Sequence, residues 1–137
     1  MNTASSVICC TQCGDVLTLP LLELIDDSML SDEAGSDYIP RGYYVMSDRG
    51  FLTNTEGRLI VNLKDAVNTR RHSDATRLNG CCGLDGCDGM NILCKNGHEV
   101  GTERSDCWLP HAIHFGANAV TTRATVTTPN DRISLQE

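Results

Sequence analysis

The placement of eight cysteines restricts this chain's fold more than any other feature. Three stand together in "VICCTQCGD" as Cys9, Cys10 and Cys13, and five fall between Asn79 and Trp108 in "NGCCGLDGCDGMNILCKNGHEVGTERSDCW". A fold must join these groups through disulfides or a metal, use one as a reactive thiol, or bury them as small apolar side chains. The choice matters because the core is thin: 40% of the 137 residues are hydrophobic but only 4% are aromatic. Such a length supports one domain built on Leu, Ile, Val and Ala, which a covalent or metal staple would help to hold.

The N-terminus lacks the basic region and apolar stretch of an export signal, so the expected compartment is the cytoplasm. In a reducing compartment, closely spaced cysteines serve as metal ligands or reactive thiols more often than as disulfides. Disulfide pairing is the alternative for an exported protein. A net charge of -7 makes nucleic acid a poor partner, because phosphate binding depends on Lys and Arg. No apolar run approaches the ~20 residues of a membrane span.

Residues 7 to 19, "VICCTQCGDVLTL", read as strand, turn, strand, with Gly14 suited to the positive φ that follows a metal knuckle. "LLELIDDSML" is a short helix or an irregular apolar segment, and the acidic "DDSMLSDEAGSD" is a loop. "IPRGYYVMSD", "GRLIVNLKDAV", "HEVGTE" and "HAIHF" are strand candidates, bounded by Gly, Pro, Asn and Asp. "DRGFLTNTEG" reads as a turn or short hairpin strand, and "AVTTRATVTT" has strong β propensity with little to bury. These segments predict a mainly β fold: a single small zinc-stabilised antiparallel domain over 1–128, followed by a flexible tail over 129–137.

Zinc accepts four thiolate or imidazole ligands in a tetrahedron, and two β-turns can present two each. Cys10-x-x-Cys13 meets that need, whereas Cys9 would replace Cys10 only at a less common spacing. Cys81 and Cys82 are adjacent, so in an extended chain only one faces a given metal. Cys82 precedes Gly83, and Cys94 opens the turn "CKNGHEV". The expected ligands are therefore Cys10, Cys13, Cys82 and Cys94, with Cys87 and then Cys81 as substitutes for Cys82. The remaining cysteines read as small buried hydrophobes.

Other groupings carry less chemistry. "DGCDGMN" lacks the ligand alternation and terminal Glu of a calcium-binding EF-hand. His72, Asp74 and Arg77 in "RRHSDATR" read as a hydrogen-bonded turn rather than a catalytic pair. His98, His111 and His114 crowd the last third, but His111 and His114 on one strand should face opposite sides.

A Cys-x-x-Cys turn, a long β meander and a second cysteine turn running into "GHEVG" resemble the zinc-ribbon-type β folds of the Mss4-like group. That group includes Yippee-type domains, the ligand-binding domain of cereblon and B-type methionine sulfoxide reductases. The resemblance covers Cys10 to about Trp108, with Cys94-Lys-Asn-Gly97 standing where those families usually have a second Cys-x-x-Cys. It implies two functions. One is a non-enzymatic binding or interaction module with a protein or small-molecule partner; Trp108, with Tyr43 and Tyr44, falls short of the three-tryptophan cage of cereblon-like domains. The other is a thiol-dependent oxidoreductase with Cys107 as its nucleophile. There Arg104 or His111 could lower the thiol pKa and Asp106 would raise it. The first is the expected function, with Cys107 packed beside Trp108.

Overall fold

The computed structural model describes residues 5–46 and 57–125. The expected tail at 129–137 and most of "DRGFLTNTEG" lie outside the described residues. Nine strands occur among the described residues: β1 (Ser6–Cys10), β2 (Leu22–Glu23), β3 (Tyr43–Met46), β4 (Leu59–Val61), β5 (Thr69–Arg71), β6 (Ile92–Cys94), β7 (Glu99–Arg104), β8 (Ala112–Phe115) and β9 (Val120–Ala124). The fold is mainly β. Strands β1, β3, β4, β7, β8 and β9 fall in segments read as strands from the sequence, while β5 and β6 were not anticipated because "TRR" and "ILC" show no apolar-polar alternation.

Strands β1 and β9 form an antiparallel ribbon, Ser6 opposite Ala124 and Cys10 opposite Val120. The other seven make one sheet in the order β2-β3-β4-β8-β7-β6-β5. Its neighbours are antiparallel except at the edge, where β2 runs parallel to β3. The second arm expected after Gly14 makes only isolated bridges, Cys9 to Val16 and Thr18 to Ala66. "LLELIDDSML" is the irregular alternative, a two-residue strand followed by a single 3-10 turn, Asp27–Met29, capped by the Asp26 carboxylate. No helix among the described residues is long and apolar enough to cross a membrane.

The period-2 pattern of β4 and β8 divides the core into two layers. Leu59, Val61, Ile113 and Phe115 face one side and pack with Ile92, Cys94 and Val100 against Ile8, Cys10, Leu17, Leu21 and Val120. The ribbon thus lies over that face of the sheet, and two cysteines belong to the apolar core between them. On the opposite face Val45, Ile60 and Ala112 are covered by Leu24, Leu30, Tyr38 and Ile39. Two buried polar residues pin this covering segment down. The Asn62 side-chain amide donates to the Ile39 carbonyl at 2.8 Å, and Asp65 accepts from the Gly42 amide at 2.7 Å and from Arg41 Nε at 3.1 Å.

His114, opposite Ile60 on β8, is buried, and neither ring nitrogen has a hydrogen-bond partner among the described residues. Burial, reinforced by the nearby charges of Arg104 and Arg58, pushes its pKa down to about 3. The imidazole is therefore neutral in the folded state. Above about pH 6.5 the folded and unfolded forms are both neutral and His114 adds no pH dependence. As pH falls from there towards 3, only the unfolded chain takes the proton, so stability is lost. We predict that the unmodified protein loses about 2 kcal/mol relative to His114→Gln between pH 7 and pH 5, measured by denaturant unfolding. A difference that does not change with pH would show that His114 is charged or solvated in the fold.

Candidate metal centre

Cys10 ends β1, and the chain turns at once through Thr11, Gln12 and Cys13. The turn closes with the Gly14 amide on the Cys10 carbonyl at 2.8 Å and the Cys10 amide on the Asp15 carbonyl at 2.9 Å. Gly14 has φ +79°, the left-handed region expected of it. Cys94 ends β6 in a comparable way. The Gly97 amide bonds the Cys94 carbonyl at 2.9 Å, the Cys94 amide bonds the His98 carbonyl at 2.9 Å, and Gly97 has φ +91°. This is a three-residue hairpin loop ending in a left-handed glycine. Residues directly opposite in an antiparallel pair share a face, so Cys94 and His98 project to the same side. The two loops also meet directly, through Asn96 Nδ2 to Asp15 Oδ2 at 3.2 Å and Lys95 Nζ to Asp15 Oδ1 at 3.8 Å.

Four donor atoms converge where these loops meet. The sulfurs of Cys10, Cys13 and Cys94 and a ring nitrogen of His98 all lie within 4.8 Å of one another, an arrangement able to hold one metal ion. Cys13 Sγ is 3.8 Å from Cys94 Sγ, and His98 Nδ1 is 3.3 Å from Cys94 Sγ and 3.7 Å from Cys10 Sγ. Cys10 and Cys94 are buried, His98 is half-buried and Cys13 is exposed. Burial raises the Cys94 thiol pKa, but the amides of His98 and Asn96 and the neighbouring thiols outweigh it and leave that pKa below its ordinary value. The pKa of Cys10 stays raised, with burial the largest cause.

Three of the four expected ligands, Cys10, Cys13 and Cys94, are therefore together, and Cys82 is elsewhere. His98 stands where a fourth cysteine was expected. Cys82 belongs to a second cluster with Cys81 and Cys107, and Cys82 Sγ lies 3.0 Å from Cys107 Sγ. The reason is the buried Asp106 carboxylate, which accepts the amides of Cys81, Cys82 and Cys107 at 2.8 to 2.9 Å and Trp108 Nε1 at 3.1 Å. These bonds hold Asp106 well below the usual carboxylate pKa, the Cys82 and Cys81 amides contributing most. They also draw 81–82 onto 106–108, away from the knuckles. Cys81 and Cys82 do not diverge as an extended chain would require, because this loop is not extended. Cys87 stays apart in a turn with its amide on Asp85 Oδ1 at 2.9 Å.

The histidines sort by the same geometry. His111 Nε2 bonds the Asp106 carbonyl at 3.0 Å, and His72 Nε2 bonds Glu99 at 2.8 Å. The Asp74 carboxylate caps its own turn through the Thr76 amide, while the Asp74 backbone amide donates to His72 Nδ1 at 3.0 Å. Tyr44 packs with one core layer and Tyr43 with the other, so they do not combine with Trp108 in one cage. The signal that could have found His98 was the spacing Cys94-x-x-Gly97-His98. A glycine-ended three-residue loop makes His98, four beyond Cys94, the cross-strand partner rather than the residue three beyond it that a Cys-x-x-Cys would use.

Replacing His98 with Ala, or Cys13 with Ser, is expected to release the bound metal and lower the melting temperature sharply. Cys82→Ser, an exposed change outside this centre, is expected to retain the metal and shift stability by less than about 0.5 kcal/mol. Metal analysis and thermal unfolding of the three variants check this, and metal loss in Cys82→Ser would move the fourth ligand back to Cys82. No family model, curated protein or solved structure matches this chain.

Proposed function

We propose that this chain is a zinc-stabilised, non-enzymatic binding or interaction module in which Cys10, Cys13, Cys94 and His98 hold the ion. The observation that carries the reading is the donor spacing. A tetrahedral ion with bonds of about 2.3 Å to sulfur and about 2.0 Å to nitrogen separates its ligands by about 3.8 Å for S···S and about 3.5 Å for S···N. The 3.8 Å between Cys13 and Cys94 and the 3.3 and 3.7 Å from His98 to two sulfurs match that figure closely. Three thiolates and one imidazole complete the shell, which is the composition of structural rather than catalytic zinc. Two hairpins far apart in sequence, each ending in a knuckle, also support the resemblance to the Mss4-like group.

Zinc in this setting supplies folding free energy. It joins the ribbon to the sheet at the point where Cys10 and Cys94 enter the core, and binding and folding become one equilibrium. The surface left for a partner includes Trp108, which is 56% exposed and fixed by its bond to Asp106. A protein or small-molecule partner in a reducing cytoplasm fits this acidic surface better than nucleic acid does.

One observation favours the oxidoreductase alternative. Cys107, expected as a packed residue, is exposed and has the Cys82 thiol beside it. Against it, the neighbouring Cys81 and Cys82 thiols are both raised, which leaves Cys107 without an ionised partner thiol. Hydrogen bonding to the neighbouring thiol is the largest cause in each case. His111 is turned to a backbone carbonyl, and Arg104 lies against Gly86.

Two measurements on natively purified protein test this reading. Elemental analysis is expected to give one tightly bound zinc per chain. Mass-resolved alkylation of the zinc-loaded protein at neutral pH is expected to show Cys107 reacting no faster than the exposed Cys87, with no turnover of a sulfoxide substrate. Rapid selective labelling of Cys107 with turnover would establish the enzyme instead.

A further inference from the structure

The cluster of Cys81, Cys82 and Cys107 stands apart from the proposed zinc centre and plays no part in it. We propose that these three residues form a second metal site, open to solvent and built for a soft ion that accepts three sulfur ligands. Three observations carry this. The donor set is entirely sulfur, and the three sulfurs lie within 4.8 Å of one another with all three residues exposed. Thiolate donors select thiophilic ions such as Cu(I) over hard cations.

The second observation concerns the fourth ligand. Asp106 is the carboxylate nearest the sulfurs in the hydrogen-bond network, but its oxygens are already engaged. Oδ1 accepts from the Cys82 and Cys107 amides, and Oδ2 from the Cys81 amide and Trp108 Nε1. Each carboxylate oxygen thus has two donors, which leaves it little capacity for a metal. Zinc, which favours four ligands, would have to recruit water, whereas a three-coordinate ion would not.

The third observation is preorganisation. The backbones of the two loops touch so closely that a Cβ on Gly83 would collide with the Ser105 carbonyl, and within the first loop one on Gly80 would meet the Gly83 carbonyl. Together with the four bonds to Asp106, these contacts fix the three Cα positions and leave only exposed side-chain rotations to adjust. In a trigonal plane with bonds of about 2.3 Å the sulfurs stand about 4 Å apart, so the 3.0 Å pair opens by rotation about χ1 when the ion enters. Binding of Cu(I) replaces three S–H bonds by three Cu–S bonds and releases three protons to solvent. Arsenite meets the same three-thiol requirement by condensation, three thiols and As(OH)3 giving three As–S bonds and three waters. Neither step transfers electrons.

The test uses full-length, zinc-loaded protein under anaerobic reducing conditions, titrated with Cu(I) from a competing chelator and, separately, with arsenite. The expected result is one further equivalent of each, with zinc retained at one per chain and sulfur-only three-coordination by X-ray absorption. Cys107→Ser and Cys81→Ser should each lose that equivalent while keeping zinc and cooperative unfolding, and Cys87→Ser should keep both. Absence of a second equivalent, an equivalent unaffected by Cys107→Ser, or four-coordinate zinc filling the cluster in place of either probe would overturn the proposal.

Discussion

The meeting of two hairpins, one ending in Cys10 and Cys13 and the other in Cys94 and His98, is the constraint on which the rest of the structure depends. The ribbon of β1 and β9 lies on one face of the sheet, and Cys10 and Cys94 are part of the apolar core between them. Ionised sulfurs there would be costly without a compensating cation, and neutral thiols would leave the ribbon held by a core of few aromatic residues. A metal ion held there would resolve both difficulties, because it would neutralise the sulfurs and crosslink layers that are distant in sequence. The glycines at 14 and 97 matter through this contact, since their left-handed backbones let each loop turn within a few residues and present two ligands on one side.

Asp106 organises a second centre by different physics. Its carboxylate is buried but satisfied by four N–H donors, which is what allows a charge to sit beneath the surface without a salt bridge. Its bonds determine where Cys81, Cys82 and Cys107 stand, and thiol-to-thiol hydrogen bonding, with a smaller contribution from its charge, raises the Cys81 and Cys82 thiols. The two cysteine groups therefore differ in kind: one is closed, mostly buried and completed by an imidazole, and the other is exposed, sulfur-only and held by backbone amides.

The sequence was informative where the chemistry is local. Gly14 after Cys10-x-x-Cys13 identified the first knuckle, and the β-branched runs around Tyr43, Leu59, Val100 and Ile113 identified the strands. It was uninformative where the outcome depends on a distant partner. Cys82 looked like a ligand because Gly83 follows it, yet its position is decided by Asp106, 24 residues away in the chain. Cys107 looked packed because Trp108 follows it, yet that indole is tied to the same carboxylate and leaves the thiol exposed. His98 was passed over because a Cys-x-x-Cys spacing was expected, whereas a three-residue loop shifts the facing position by one. Strands β5 and β6 exist only through pairing with their neighbours, which the polar "TRR" and the uniformly apolar "ILC" do not announce.

The most direct test of the central claim is X-ray absorption at the zinc edge on protein purified without added metal. The account predicts a single shell of three sulfurs at about 2.3 Å and one nitrogen at about 2.0 Å, with imidazole outer-shell scattering that disappears in His98→Ala. Four sulfurs with no imidazole signal would contradict it, as would protein that is folded and cooperative with no metal at all.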